Sequence, residues 1–92
     1  MSAEAVRAPL GWALILGVSS GFGAATARAL AKKGFNIIGV HLDRSSTLPM
    51  AEAVRADIEA QGREAVFFNR NAAKAETRAM VVAALAERDA QV

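Results

Sequence analysis

The sequence predicts an α/β fold: a parallel sheet with helices on both faces, its elements in the order β-α-β-α-β-α. Three observations predict it. Short apolar runs recur at residues 12–17, 35–40 and 65–68, and stretches rich in helix formers alternate with them. The connections between the two kinds of segment are short, which implies parallel strands joined by right-handed crossovers with helices covering the sheet. A glycine-rich turn joins the first run to the first helix. Ninety-two residues fit one compact core, since a chain of this size buries only about 60 to 65% of its unfolded surface.

The first run, Trp12-Ala-Leu-Ile-Leu-Gly17, is too brief for a stable helix and ends in a cluster of Gly and Ser, so it reads as a buried strand with Trp12 packing at the sheet's end. Residues 23–33 are dominated by strong helix formers, with Lys32 and Lys33 in the last turn and Gly34 as the cap beyond. Residues 35–40, Phe-Asn-Ile-Ile-Gly-Val, form a second β-branched apolar strand that breaks into the polar segment His41-Leu-Asp-Arg-Ser-Ser-Thr47. Pro49 suits the first turn of the next helix, where Met50, Val54 and Ile58 are expected to line the inward face and Gly62 to close it. Residues 65–68 make the third strand, whose Phe67 and Phe68 point to opposite faces and enter the core on each side. Residues 75–88 make the last helix, with Val81 and Leu85 facing inward. Glu52 with Arg55, and Glu59 with Arg63, read as helix-surface pairs worth a few tenths of a kcal/mol.

Composition narrows the function. Hydrophobic residues at 53% with only 2 prolines exclude a disordered chain. The 11 basic and 9 acidic residues are scattered and leave a net charge of +2, so no basic face for nucleic acid is expected. No cysteine and a single histidine exclude a disulfide framework and a structural zinc site. The longest apolar run falls well short of the 20 or so residues of a membrane span, and Met1-Ser-Ala-Glu-Ala-Val-Arg7 fits a secretory signal poorly. A soluble cytoplasmic protein is the expectation.

The informative segment is Leu16-Gly-Val-Ser-Ser-Gly-Phe-Gly-Ala24, with glycines at 17, 21 and 23 in a GxxxGxG spacing between strand and helix. Glycine turns the chain sharply and lets backbone N–H groups approach a pyrophosphate with no Cβ in the way, while the helix adds its positive end. No Gly-Lys-Ser/Thr follows, which excludes a P-loop, and the third glycine of GxGxxG is missing. A strand–helix turn that binds nothing is the competing reading; the apolar strand before and Ala-rich helix after favour the anion cradle.

From Gly17 to Gly34 the segment is similar to the cofactor signature of the short-chain dehydrogenase/reductases, and the wider pattern resembles that family over nearly the whole chain. The resemblance implies a Rossmann-type, NAD(P)-binding domain, with residues 1–92 its N-terminal part and the catalytic half absent. It places cofactor contacts at Gly17, Ser19, Ser20, Gly21, Phe22, Gly23, His41, Asp43, Arg44, Ser45, Asn71 and Ala72. Leu16 departs from the family's usual Thr, and Asn71 stands where Asp is usual, its carboxamide still able to meet an adenine edge. The family's catalytic Ser and Tyr-x-x-x-Lys lie further downstream, and this sequence has no tyrosine. The resemblance therefore implies that hydride transfer to or from a carbonyl, hydroxyl or enoyl substrate requires a C-terminal part, and that the full-length form is a homo-oligomer. The alternative is a non-catalytic nucleotide-binding or chain-pairing module, complete in itself, whose first strand offers an unpaired edge to another chain.

The resemblance aligns His41 with the acidic residue that reads ribose hydroxyls in NAD-binding members, which favours NADP with NAD as a close alternative. A loop histidine without chemical duty is an equally open reading. Asp43 is expected to turn toward solvent while Arg44, Ser45 and Ser46 offer a guanidinium fork and two hydroxyls to a phosphate; a two-residue shift of register would instead bring Asp43 to the ribose.

Overall fold

The computed structural model describes residues 8–19 and 21–88; the 1–7 segment read above for a signal, and Ser20, lie outside the described residues. The elements alternate: β1 (Gly11–Leu16), α1 (Gly21–Lys33), β2 (Phe35–His41), α2 (Leu48–Ala60), β3 (Ala65–Asn69) and α3 (Ala75–Glu87). The three strands form one parallel sheet in the order β1-β2-β3, with Leu16 opposite Val40 and His41 opposite Asn69. The βαβαβα half of a Rossmann-like fold is thus formed.

β2 is buried from Asn36 to His41 because strands flank it on both sides and helices cover both faces. One core layer joins Ile15, Val18, Ile37 and Ala65 of the sheet side to Ala24, Ala27 and Ala31 of α1 and Val54 and Ile58 of α2. The small residues on α1 let that helix approach the sheet closely. The opposite layer joins Trp12, Ile38 and Val40 to Val81 and Ala84 of α3, and Arg88 lies 5.5 Å from the Trp12 ring centre. Phe67 enters the first layer and Phe68 the second, as the pleat requires.

Gly34 ends α1 at φ 117°, its N–H bonding the carbonyls of Leu30 and Ala31. A side chain at Gly39 would collide with Val18, whose Cγ1 would lie 2.7 Å from the added Cβ.

Three expectations are corrected. The inward face of α2 is Ala51, Val54 and Ile58, and Met50 is half exposed. At 3.6 residues per turn, two steps of four carry Met50 about 80° away from Ile58, whereas Ala51 lies within about 20° of it. Arg63 is buried rather than on a helix surface, and its Nη1 donates to the Gly34 carbonyl at 3.3 Å. β1 is buried only in part: Leu14 and Leu16, on the same face as Trp12, are exposed, and among the described residues no strand pairs with the second edge of β1. Among the described residues, no helix is long and apolar enough to cross a membrane.

Candidate functional site

All three strands are parallel, so the loops that follow them gather at one end of the sheet, the end at which open α/β sheets hold their ligands. The loop after β1 is fastened to β2: the N–H groups of Gly17 and Val18 both donate to the Val40 carbonyl, at 2.8 and 3.1 Å. Val18 is fully buried and anchors the turn from below.

The three glycines of the turn do different work. Gly17 and Gly21 have φ of 76° and 58°, a region that side-chain-bearing residues avoid, and a Cβ on either would enter open space. Gly23 has ordinary helical backbone but no room: a Cβ there would stand 2.6 Å from the Gly17 carbonyl carbon and closer still to its oxygen. Gly17 and Gly21 therefore leave open space beside the turn, and Gly23 lets α1 begin directly against the strand end. The first turn of α1 supplies backbone N–H groups without helical partners beside that space. Phe22 stands 93% exposed on this turn, and Ser19 is buried beneath it.

The loop after β2 is organised around Asp43. His41 Nδ1 donates to Asp43 Oδ2 at 2.8 Å, with the two side chains only 5% and 12% exposed. Thr47 Oγ1 donates to Asp43 Oδ1 at 3.0 Å. The Ser19 hydroxyl is the largest cause that holds the Asp43 carboxyl below its ordinary value; burial pushes the other way, and the His41 and Thr47 donors add to the lowering. Asp43 thus ties the loop after β1 to the loop after β2, where the sequence reading had it facing solvent. The His41 ring also meets Phe67 edge to face, with ring centres 5.8 Å apart.

Asn69, the last residue of β3, completes this arrangement and was missed in the sequence. Its Oδ1 accepts from the Asp43 N–H at 2.8 Å and its Nδ2 donates to the Asp43 carbonyl at 3.1 Å. Its signal is positional, a carboxamide in register with His41 at the strand end. Asn71 uses its Oδ1 on the Ala73 N–H at 2.9 Å and shapes its own turn.

A cavity of about 170 Å³ opens between these loops, lined by Gly17, His41, Leu42, Arg70, Asn71 and Ala72 among others. Four expected residues, Gly17, His41, Asn71 and Ala72, meet there. Ser19 and Gly21 instead border a cleft of about 300 Å³ between α1 and α2. Arg44, Ser45 and Ser46 lie exposed on the turn before α2, where the Arg44 carbonyl accepts from the N–H groups of Thr47 and Leu48.

A strand–glycine turn–helix of this geometry at the head of a parallel sheet is the mark of a dinucleotide-binding class of fold. The family model of the short chain dehydrogenases matches residues 11–92, and the chain belongs to that family. Among solved structures it resembles a blue fluorescent protein from a metagenomic library, in complex with NADPH, at 32% identity over 85% of this chain and 32% of that one, TM-score 0.73. It also resembles a chain from Sinorhizobium meliloti 1021 provisionally described as a short-chain alcohol dehydrogenase, at 30% identity over 90% of this chain and 31% of that one, TM-score 0.70. A metagenomic short-chain oxidoreductase in complex with NADP is similar at 27% identity over 87% of this chain and 35% of that one, TM-score 0.71. The chain therefore spans about a third of the length of these structures. The comparison with curated proteins gives no match.

Proposed function

We propose that this chain is the cofactor-binding part of a short-chain oxidoreductase, holding a nicotinamide dinucleotide across the ends of its three strands. The observation that carries the reading is the open space over Gly17 and Gly21 beside the first turn of α1. The residues present fit the group: a pyrophosphate needs backbone N–H groups at close approach, and any Cβ at these two positions would fill the space it requires. Gly17, Ser19, Ser20, Gly21, Phe22 and Gly23 serve the pyrophosphate side, with Gly23 acting by packing. His41, Asn71 and Ala72 serve the adenosine side from the walls of the cavity. The cofactor, when bound, supplies or takes up a hydride.

NADP is the proposed form, with NAD the close alternative. The tip of β2 carries His41 in place of an acid, and the Asp43 carboxylate is already engaged by three donors. A carboxylate in that state is poorly placed to accept from ribose hydroxyls. The substrate is proposed to be a small molecule with a carbonyl, hydroxyl or enoyl group, met by a C-terminal part of the same domain, in a cytoplasmic homo-oligomer. Calorimetric titration of the full chain with NADPH and NADH tests the reading. Saturable binding of a dinucleotide supports it, and heats no larger than dilution for both cofactors overturn it.

A further inference from the structure

The ladder between β2 and β3 ends at the pair His41 and Asn69, where the Arg70 N–H donates to the His41 carbonyl at 2.8 Å. Beyond it, the backbone of Asp43 is bonded to a side chain instead of a strand. Asn69 Oδ1 accepts from the Asp43 N–H at 2.8 Å, and Asn69 Nδ2 donates to the Asp43 carbonyl at 3.1 Å. An N–H can only donate and a carbonyl only accept, so the carboxamide is fixed in one orientation. One planar amide thus stands in for a further rung of the sheet, and Leu42 is held from both sides, through His41 and through Asp43.

The consequence reaches past this loop. The carboxylate of Asp43 accepts from His41 Nδ1 on one oxygen and from the Thr47 hydroxyl on the other, and the Ser19 hydroxyl also donates to it. Ser19 belongs to the glycine turn after β1, and Gly17 of that turn lines one cavity with His41 and Leu42. Two loops around that cavity therefore meet at a single carboxylate, and the backbone carrying it is held from β3. Asn69 is not among the residues that line the cavity, so its effect on a ligand there is indirect.

We propose that Asn69 is a positioning residue for dinucleotide binding: by clamping the Asp43 backbone it sets the loop after β2 and, through the Asp43 carboxylate and Ser19, the glycine turn after β1. This role rests on the dinucleotide-binding reading above and adds a residue that acts on both loops without lining the cavity between them.

The test uses the full chain, with NADPH, NADH and 5′-AMP as probes in calorimetry and with amide exchange followed by NMR in the absence of ligand. Asn69→Ala removes both bonds and should weaken the probes that bind wild type by about threefold to tenfold, the scale of a single net hydrogen bond. Asn69→Asp keeps the volume and the acceptor but turns a carboxylate oxygen toward the Asp43 carbonyl, and it should bind at least as weakly as Asn69→Ala. Affinity of Asn69→Asp within about twofold of wild type overturns the role, because the side chain would then only fill space. In an Asp43→Ala background, Asn69→Ala should cost less than about a further twofold, since the carboxylate through which it acts is gone. Full additivity of the two losses overturns the role. Without ligand, Asn69→Ala should speed exchange at Val18 and Ser19 by at least about threefold, as well as in the 42–47 loop. Faster exchange confined to that loop overturns the link to the glycine turn. Failure of wild type to bind any of the three probes overturns the dinucleotide reading and this role with it, a result told apart from the others because it appears before any substitution is made.

Discussion

Gly23 lies so close beneath the Gly17 carbonyl that a single added Cβ would overlap it, while the helix that begins at Gly21 keeps ordinary geometry through this contact. Both sides of the contact are backbone, and neither can swing away as a side chain would. Gly23→Ala should therefore lower folding stability by about 3 kcal/mol, at the upper end of overpacking costs. Urea denaturation followed by circular dichroism measures it. A loss below about 1 kcal/mol would mean that α1 shifts freely along the strand end, and the close approach would lose its meaning.

Gly21 makes the opposite case, because its requirement is conformational and the space beyond it is open. Asparagine tolerates left-handed backbone better than other side chains do. Gly21→Asn should cost no more than about 1 kcal/mol of stability and still put atoms into the cradle, weakening dinucleotide binding by at least about tenfold. Gly21→Val should add backbone strain of about 1 to 3 kcal/mol to the same loss of affinity. Paired titration and denaturation separate the two effects, and unchanged affinity in both variants would sink the cradle.

Element identity was legible in the sequence because it rests on local signals. β-branched apolar runs, Ala-rich helices and Gly34 each act within a few residues, so strands and helices emerge within two residues of their expected ends. The glycine turn was legible as a motif, but the division of work inside it was not. Whether a glycine serves its own φ or its neighbour's space depends on how near the helix comes to the strand, which only the packed fold sets. The Asp43 arrangement was less legible still. Its donors come from residues 19, 41 and 47, and its clamp from residue 69, with no periodicity linking them. The register of β2 against β3 brings Asn69 beside His41, and that register is a long-range property. The inward face of α2 misled for a geometric reason, since a strict four-residue repeat drifts off a 3.6-residue helix.

The exposed edge of β1 should govern how a 92-residue polypeptide behaves in isolation. Leu14 and Leu16 point to the same side as Trp12, but only Trp12 is covered by α3. Leu16 is 63% exposed and borders an apolar groove of about 290 Å³ with Val81, Val82 and Leu85. Sedimentation of the polypeptide should show concentration-dependent association, and Leu16→Lys should shift it toward monomer, since a charge on an edge strand blocks pairing. A wild-type monomer with cooperative melting at all concentrations would instead favour a module complete in itself.

The Asp43 arrangement predicts a defined acid dependence. Its carboxyl titrates below its ordinary value in the folded protein, chiefly through the Ser19 hydroxyl and then through His41 and Thr47. Unfolding releases those donors and returns the group to about 3.9. Between the two values the unfolded chain binds more protons than the folded one, so stability rises with pH through that window. The contribution is fully present above about pH 4 and is lost as pH falls through the lower, folded value. Asp43→Asn removes the charge that the donors stabilise and should cost on the order of 1 kcal/mol at pH 7, the scale of a partly exposed hydrogen bond to an ionised group. Urea denaturation of both proteins from pH 7 down to pH 3 should show the gap between them narrowing only below about pH 4. Because Asp43 also joins Ser19 to the β2 tip, the same variant should loosen dinucleotide binding at pH 7. A stability gap that persists undiminished to pH 3 would mean that Asp43 contributes through shape alone and that its charge is not what the three donors hold.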